Sequence, residues 1–344
     1  MYKILPMVLF ILIPSLALAG GDYDEPFSLR LPPAFIRFTE VSTMGGETAA
    51  NRYSSAINPA ALDRVDLPCE HGVVIAPYYS QIRFKNGTNI HITGESLTLD
   101  MGKWGVIQPT VSQVSSNRAA TRQGLAFDYD VDSAQVQWGK RFDQWAFGAN
   151  FNFAKAQVIN AGQVGPAHVR AVGNAESYRI RLGGLYQPAD KWLAGLMLEY
   201  GWQPYRSVTR TTVPLPAPYP PMVLTSRDEG TQQQYLLRPA VSYEYAPHST
   251  VFLDYQWGVF WNKDGRLRDG RVTVGVDHQI YQWLFARTGV GVDNRGNASW
   301  TAGASLHFSR WGSFDIGYQY DPFPELRPEF GRAHVLQATF SARF

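Results

Sequence analysis

From His71 to Phe344 apolar and polar residues alternate with a period of two, in runs parted by turn residues. Tyr235, Leu237, Val241, Tyr243 and Tyr245 alternate with Gln234, Arg238, Ser242 and Glu244. Val251, Leu253, Tyr255, Trp257, Val259 and Trp261 alternate with Asp254, Gln256 and Gly258. The final run carries Leu336, Ala338, Phe340, Ala342 and Phe344 on one face and Gln337, Thr339, Ser341 and Arg343 on the other. Side chains of a strand point alternately to its two faces, so each run reads as a strand apolar on one side only. A solvated edge of this kind invites aggregation, and closing the sheet removes the edge. With the apolar face outward this is the pattern of a transmembrane β-barrel. The rival, a soluble sandwich, explains the uniform alternation less well.

Strands are expected at 71–84, 88–101, 104–115, 123–142, 144–160, 170–187, 191–211, 230–247, 249–263, 267–281, 283–294, 297–309, 313–322 and 331–344, which makes fourteen. The count is even, as a single-chain bacterial barrel requires. Tight connections then fall at one end: Gly102-Lys103, Asp143, Pro188 to Asp190, Pro247-His248, Gln282 and Arg310 to Gly312. The long connections 116–122, 161–169, 212–229 and 323–330, with the short Asn294 to Asn297, fall at the other. On this pattern Trp257, Val259, Trp300 and Tyr318 face lipid, and Gln256, Thr301 and Gln319 face the lumen.

The N-terminus has a different character. Lys3, an apolar run from Met7 to Ala19 and the small-residue pattern Ala17-Leu18-Ala19 read as a signal peptide over 1–19, cleaved before Gly20. Residues 20–69 lack the alternation and hold Gly45-Gly46, small residues from Thr48 to Ala50, and Asn58-Pro59-Ala60-Ala61-Leu62. They read as a compact non-barrel plug, with Asn58 capping a helical turn that Pro59 opens. The barrel unit is taken as residues 70–344.

Composition narrows the class. The chain holds 10 Trp, 18 Tyr and 19 Phe at a slightly negative mean hydropathy, as half-apolar strands would. A formal charge of +2 and the lack of any basic cluster interleaved with aromatics argue against nucleic acid. Cys69 is the one cysteine, so no internal disulfide forms, and a buried structural thiol is favoured over a reactive one. The seven histidines show no metal-ligand spacing and no Gly-x-Ser-x-Gly elbow occurs, so neither a metal nor a catalytic residue is assigned. A strand-borne Ser/His pair remains the one enzymatic alternative, with His278 outward and His307 inward.

A fourteen-stranded barrel preceded by a plug, with Gly45-Gly46 through Ala56 and then Asn58-Pro59-Ala60-Ala61-Leu62, resembles the FadL-type family of outer-membrane transporters for hydrophobic compounds. Asn51-Arg52 and Ile57 depart from the acidic pair and aromatic residue common before that family's motif. The resemblance implies a bacterial outer-membrane monomer whose N-terminal segment acts as a luminal hatch, with Asn58, Pro59 and Ala60 as its motif. It also implies passive uptake of fatty acids or hydrocarbons without a cofactor. The C-terminal Phe344 resembles the signal by which barrel-assembly machinery takes up such chains. Some relatives act instead as secretion or assembly scaffolds, which is the second reading.

Further candidates stand beside plainer readings. Pro109 breaks a ladder bond in the third strand; it is either a lateral seam into the lipid, as the resemblance implies, or a tolerated bulge like Pro77 and Pro239. The proline-rich loop with Leu215, Tyr219, Met222, Val223 and Leu224 is either a capture surface for apolar ligand or a folded lid. Asp128, Asp130, Arg179, Arg181, Glu199, Arg238, Glu244, Asp254, Arg271, Asp277, Asp315 and Arg343 are expected to face inward. Both signs are present, which favours an internal ion-pair network over a polar passage.

Overall fold

The computed structural model describes residues 48–50, 56–64, 72–117, 119–120, 125–262, 265–309 and 311–344. The signal peptide, most of the 20–69 segment and Cys69 lie outside the described residues.

The strands are β1 (Val73–Phe84), β2 (Asn89–Asp100), β3 (Val106–Ser116), β4 (Ala119–Ala120), β5 (Leu125–Phe142), β6 (Trp145–Val164), β7 (Ala167–Ala189) and β8 (Trp192–Val213). They continue as β9 (Met222–Ala246), β10 (Ser249–Asn262), β11 (Gly265–Tyr281), β12 (Leu284–Asp293), β13 (Ala298–Ser309), β14 (Gly312–Tyr320) and β15 (Ala333–Arg343). Every neighbour pairs antiparallel, β1 with β15 and β3 with β5, so fourteen strands close into a barrel. The fifteenth, β4, is a two-residue strand beyond the end of β3 that pairs with the start of β5. The backbone of Phe344 bonds both ways to Val73, which sews the chain's last residue to its first strand.

The alternation behaves as a membrane barrel's should. Phe147, Phe151, Ile180, Leu182, Leu196, Leu198 and Val290 are exposed on the outer face, while Asn150, Asn152, Arg179, Arg181, Glu199 and Gln234 are buried inside. Trp257 and Trp300 are exposed as expected, whereas Val259 is only 2% exposed. It shares the outward parity of Trp257, but it is a small side chain set beside Tyr235, whose ring stacks on Trp261 at 4.9 Å. Val290, 53% exposed within the apolar belt, should tolerate arginine poorly. Val290→Arg is expected to lower stability by about 2 to 4 kcal/mol, read as a shift in the urea midpoint of the folded band on a gel.

Three expectations change, the first being the 161–169 connection, which shrinks to a two-residue turn because β6 and β7 pair out to Val164 and Ala167. Asp128 and Asp130 point outward, because on β5 the buried set is Leu125, Phe127, Tyr129 and Val131. Near the loop end the outside of the wall meets water and the inside is apolar, so the polarity of the two faces inverts. The 212–229 loop is shorter than expected: β8 and β9 run on as a hairpin to Val213 and Met222, with only the tip between them. Met222, Val223 and Leu224 are therefore exposed strand residues, paired with Val213, Thr212 and Thr211.

Five prolines lie within strands; Pro188 sits at the irregular end of β7, where the register shifts, and the other four share one local consequence. Pro77, Pro109, Pro204 and Pro239 keep their pairing on one side, opposite Glu95, Val136, Thr231 and Leu196. On the other side the ladder skips two residues without changing register. A proline has no N–H to donate, so the gap follows from its chemistry. At Pro109 the gap lies between β2 and β3, where Gln108 Nε2 donates to Thr98 Oγ1 at 2.7 Å across the missing rungs.

Candidate functional site: the lumen

The described pieces of the N-terminal segment lie inside the barrel near its short-turn end. Asn58 organises them. Its Oδ1 accepts from the Ala60 amide at 3.0 Å, capping the short 3-10 turn Pro59–Arg64. Its Nδ2 donates to Ala49 O at 2.7 Å and to Gly184 O at 3.1 Å, joining two stretches of the segment to the wall. The Ala49 amide donates to Asp254 Oδ2 at 2.8 Å, and Ser242 Oγ donates to Ala50 O at 2.8 Å. Asp63 accepts from the Arg141 amide at 2.5 Å. Burial pushes the Asp63 carboxyl up from its ordinary value, and that hydrogen bond pulls it back.

The wall makes room for this backbone with glycine. Gly139, Gly148 and Gly183 are direct cross-strand partners on β5, β6 and β7, and they form a trench floor without side chains. A Cβ at Gly148 would sit 2.3 Å from the carbonyl carbon of Pro59, one at Gly139 2.7 Å from Pro59 O, and one at Gly183 1.9 Å from Asn58 Oδ1. On β8, a Cβ at Gly195 would sit 2.1 Å from Ala49 O. Ala60 and Ala61 pack against Ala146, Leu185 and Leu193 beside the trench.

Above this lies a charged and amide-rich layer. Arg181 Nη2 meets Glu199 at 2.7 Å and its Nη1 donates to Ala56 O at 3.1 Å, while Gln234 Nε2 donates to the other Glu199 oxygen at 2.7 Å. Arg238 Nε lies 2.6 Å from Asp254, the carboxylate that also holds Ala49. Arg287 Nε lies 2.9 Å from Asp277, and its Nη1 lies 3.4 Å from Asp315 and hydrogen-bonds Ser305. The inward charges are thus largely paired, as the network reading expects.

At the loop end the lumen turns apolar. Ile82, Phe84, Ile90, Ile92, Phe127 and Tyr129 pack with Phe323, Leu326 and Phe330, which come from the β14–β15 connection. That connection folds inward through a 3-10 turn, Pro324–Leu326, and one helical turn, α1 (Arg327–Phe330). Phe330 packs tilted against Phe84 and edge-on against Phe127, with ring centroids 5.1 and 5.2 Å apart. Arg327 ties the cap to the wall through Asp321 at 2.5 Å and through Asn297.

The sites expected from sequence are spread over the barrel. Asn58, Pro59 and Ala60 are buried at the short-turn end; Pro109 is on the outer face of β3; Leu215, Tyr219 and Met222 to Leu224 are exposed at the far hairpin. Sequence reasoning missed the glycine trench, Arg287 and the apolar cap. The trench could have been sought as glycines of inward parity on consecutive strands.

No family model matches the chain, and no curated protein matches it in sequence. Solved structures match its fold. The toluene transporter TodX of Pseudomonas putida is similar at 12% identity and a TM-score of 0.54, over 88% of this chain and 96% of that one. The CymD monoaromatic hydrocarbon channel is similar at 14% identity and 0.59, over 87% and 95%. A Pseudomonas aeruginosa FadL homologue is similar at 12% identity and 0.54, over 87% and 97%. The chain therefore has the fold of the FadL-type transporters, a closed fourteen-stranded antiparallel barrel.

Proposed function

We propose that this chain is a bacterial outer-membrane channel for passive uptake of small hydrophobic molecules, fatty acids or hydrocarbons. The observation that carries the reading is the apolar interior at the loop end, where a porin-type lumen would be polar. The shared fold with a toluene transporter and a monoaromatic hydrocarbon channel supports it. In this reading Leu215, Tyr219, Met222, Val223 and Leu224 capture ligand, and the segment around Asn58-Pro59-Ala60 is a luminal plug. Exit is lateral, through the gap beside Pro109. The chain works as a monomer, without a cofactor or catalysis, after cleavage of residues 1–19 and insertion guided by Phe344.

Uptake of a labelled aromatic hydrocarbon and a labelled fatty acid, by cells with matched outer-membrane levels, tests this. Pro109→Val restores a backbone donor opposite Leu97 and should cut uptake at least severalfold. Pro77→Val, Pro204→Val and Pro239→Val close equivalent gaps and should transport like the parent. Equal loss in all four, or none at Pro109, rejects the exit at β3. Serines at Leu215, Tyr219 and Leu224 should weaken uptake at low ligand concentration and leave the saturated rate intact. A second reading, a scaffold with a filled lumen, draws on the fully buried packing of Ile82, Ile90, Leu326 and Val335. It takes over if the parent transports neither ligand class.

A further inference from the structure

Glu95 sits on the outer face of β2, exposed, and none of the hydrogen bonds and ion pairs among the described residues involves it. Its depth follows from the ladder. In one direction the row of cross-strand partners runs from Glu95 to Val111, Ala134, Phe153, Tyr178 and Trp202, in the aromatic girdle toward the loop end. In the other it passes Pro77, crosses the rung that the ladder skips to Phe340, and descends through Phe314, Leu306 and Leu284 to Tyr281, beside Trp283 in the girdle at the turn end. Strands tilt in a barrel, so a row that climbs to one girdle and falls to the other crosses mid-depth between them. Glu95 lies at that crossing.

It is not alone. From Glu95 toward the loop end, the outer face of β1–β3 carries Gln81, His91, Thr93, Gln113 and Ser115 around a single exposed aromatic residue, Tyr79, whose hydroxyl shares a hydrogen bond with His91 Nδ1 at 2.7 Å. The apolar stripe spans Trp145 to Phe153 on β6 and Trp104 to Val111 on the β3 wall, yet only Leu97 to Met101 on β2. At the usual rise and tilt of such strands the belt is shorter there by roughly 10 Å. A bilayer thins to meet a short belt, and polar groups held in hydrocarbon draw in water and headgroups. The ladder gaps beside Pro77 and Pro109 flank the same face.

We propose that the β1–β3 face is a track for lipid headgroups, and that the protein speeds the movement of phospholipids between leaflets along it. The proposal requires the barrel to span a bilayer and is independent of what the lumen carries. The intact chain is reconstituted into phosphatidylcholine vesicles holding a trace of short-chain, tail-labelled phosphatidylcholine, and albumin, too large to pass through the lumen, extracts the probe from the outer leaflet. With the parent, extraction should continue into the inner-leaflet pool at least fivefold faster than in protein-free vesicles. The variant Thr93→Val/Glu95→Leu/Gln113→Val, which completes the apolar belt, should fall to the protein-free rate while keeping a heat-modifiable folded band. Should the triple variant fail to fold, Glu95→Leu alone should slow extraction at least twofold. A parent no faster than empty vesicles overturns the proposal, as do folded variants as fast as the parent. Thr93→Cys in a Cys69→Ser background that crosslinks quantitatively into dimers overturns it too, because a second copy then covers the face.

Discussion

Valine at Gly148 is expected to unseat the 56–64 stretch from the barrel wall. The site faces the Pro59–Ala60 backbone directly, and a Cβ there would stand 2.3 Å from Pro59 C and 2.4 Å from the Ala60 nitrogen. Neither neighbour is a flexible side chain, so relief requires the chain to move. Overpacking of this kind costs about 1 to 3 kcal/mol when the protein absorbs it. Here the cheaper response is loss of the Asn58 contacts to Ala49 and Gly184. Cells carrying Gly148→Val should become severalfold more sensitive to a bulky hydrophilic antibiotic, and protease should cut the stretch sooner. Gly184→Val is the control: it lies beside the trench, but a Cβ there meets nothing within 4 Å. Equal behaviour of the two variants would mean that the wall does not hold the stretch.

The second large effect is expected at Arg287. Its guanidinium is the shared partner of Asp277 and Asp315, with all three side chains about one-tenth exposed or less. Arg287→Met fills similar space and leaves two carboxylates facing each other without a counter-charge. Breaking a buried pair in this way costs about 3 to 5 kcal/mol. The urea midpoint of the folded barrel in detergent micelles should fall accordingly. The variant Asp277→Asn/Arg287→Met/Asp315→Asn should recover most of the loss, since no buried charge then lacks a partner. Lack of rescue would put the cost in packing rather than in charge.

The barrel was legible because a strand's parity repeats every second residue over long runs, and errors of a residue or two at turns do not alter the count. Asp128 and Asp130 were misplaced because charge was equated with the lumen. That rule holds only where the outside is lipid, and on β5 it inverts where Phe127 and Tyr129 turn inward. Gly139, Gly148 and Gly183 escaped for another reason. A glycine shows neither polarity nor preference for a face, and its meaning appears only when the segment it accommodates is in place. The cap formed by Phe323, Leu326 and Phe330 escaped because its apolar residues follow no strand period.

The glycine trench also bears on the order in which this molecule is put together. Its three strands are consecutive in the chain, and the stretch they receive precedes all of them in sequence. The ring is completed only when the last strand reaches the first. A segment held by backbone contacts to three consecutive strands can therefore be seated on the half-built sheet, before β15 meets β1.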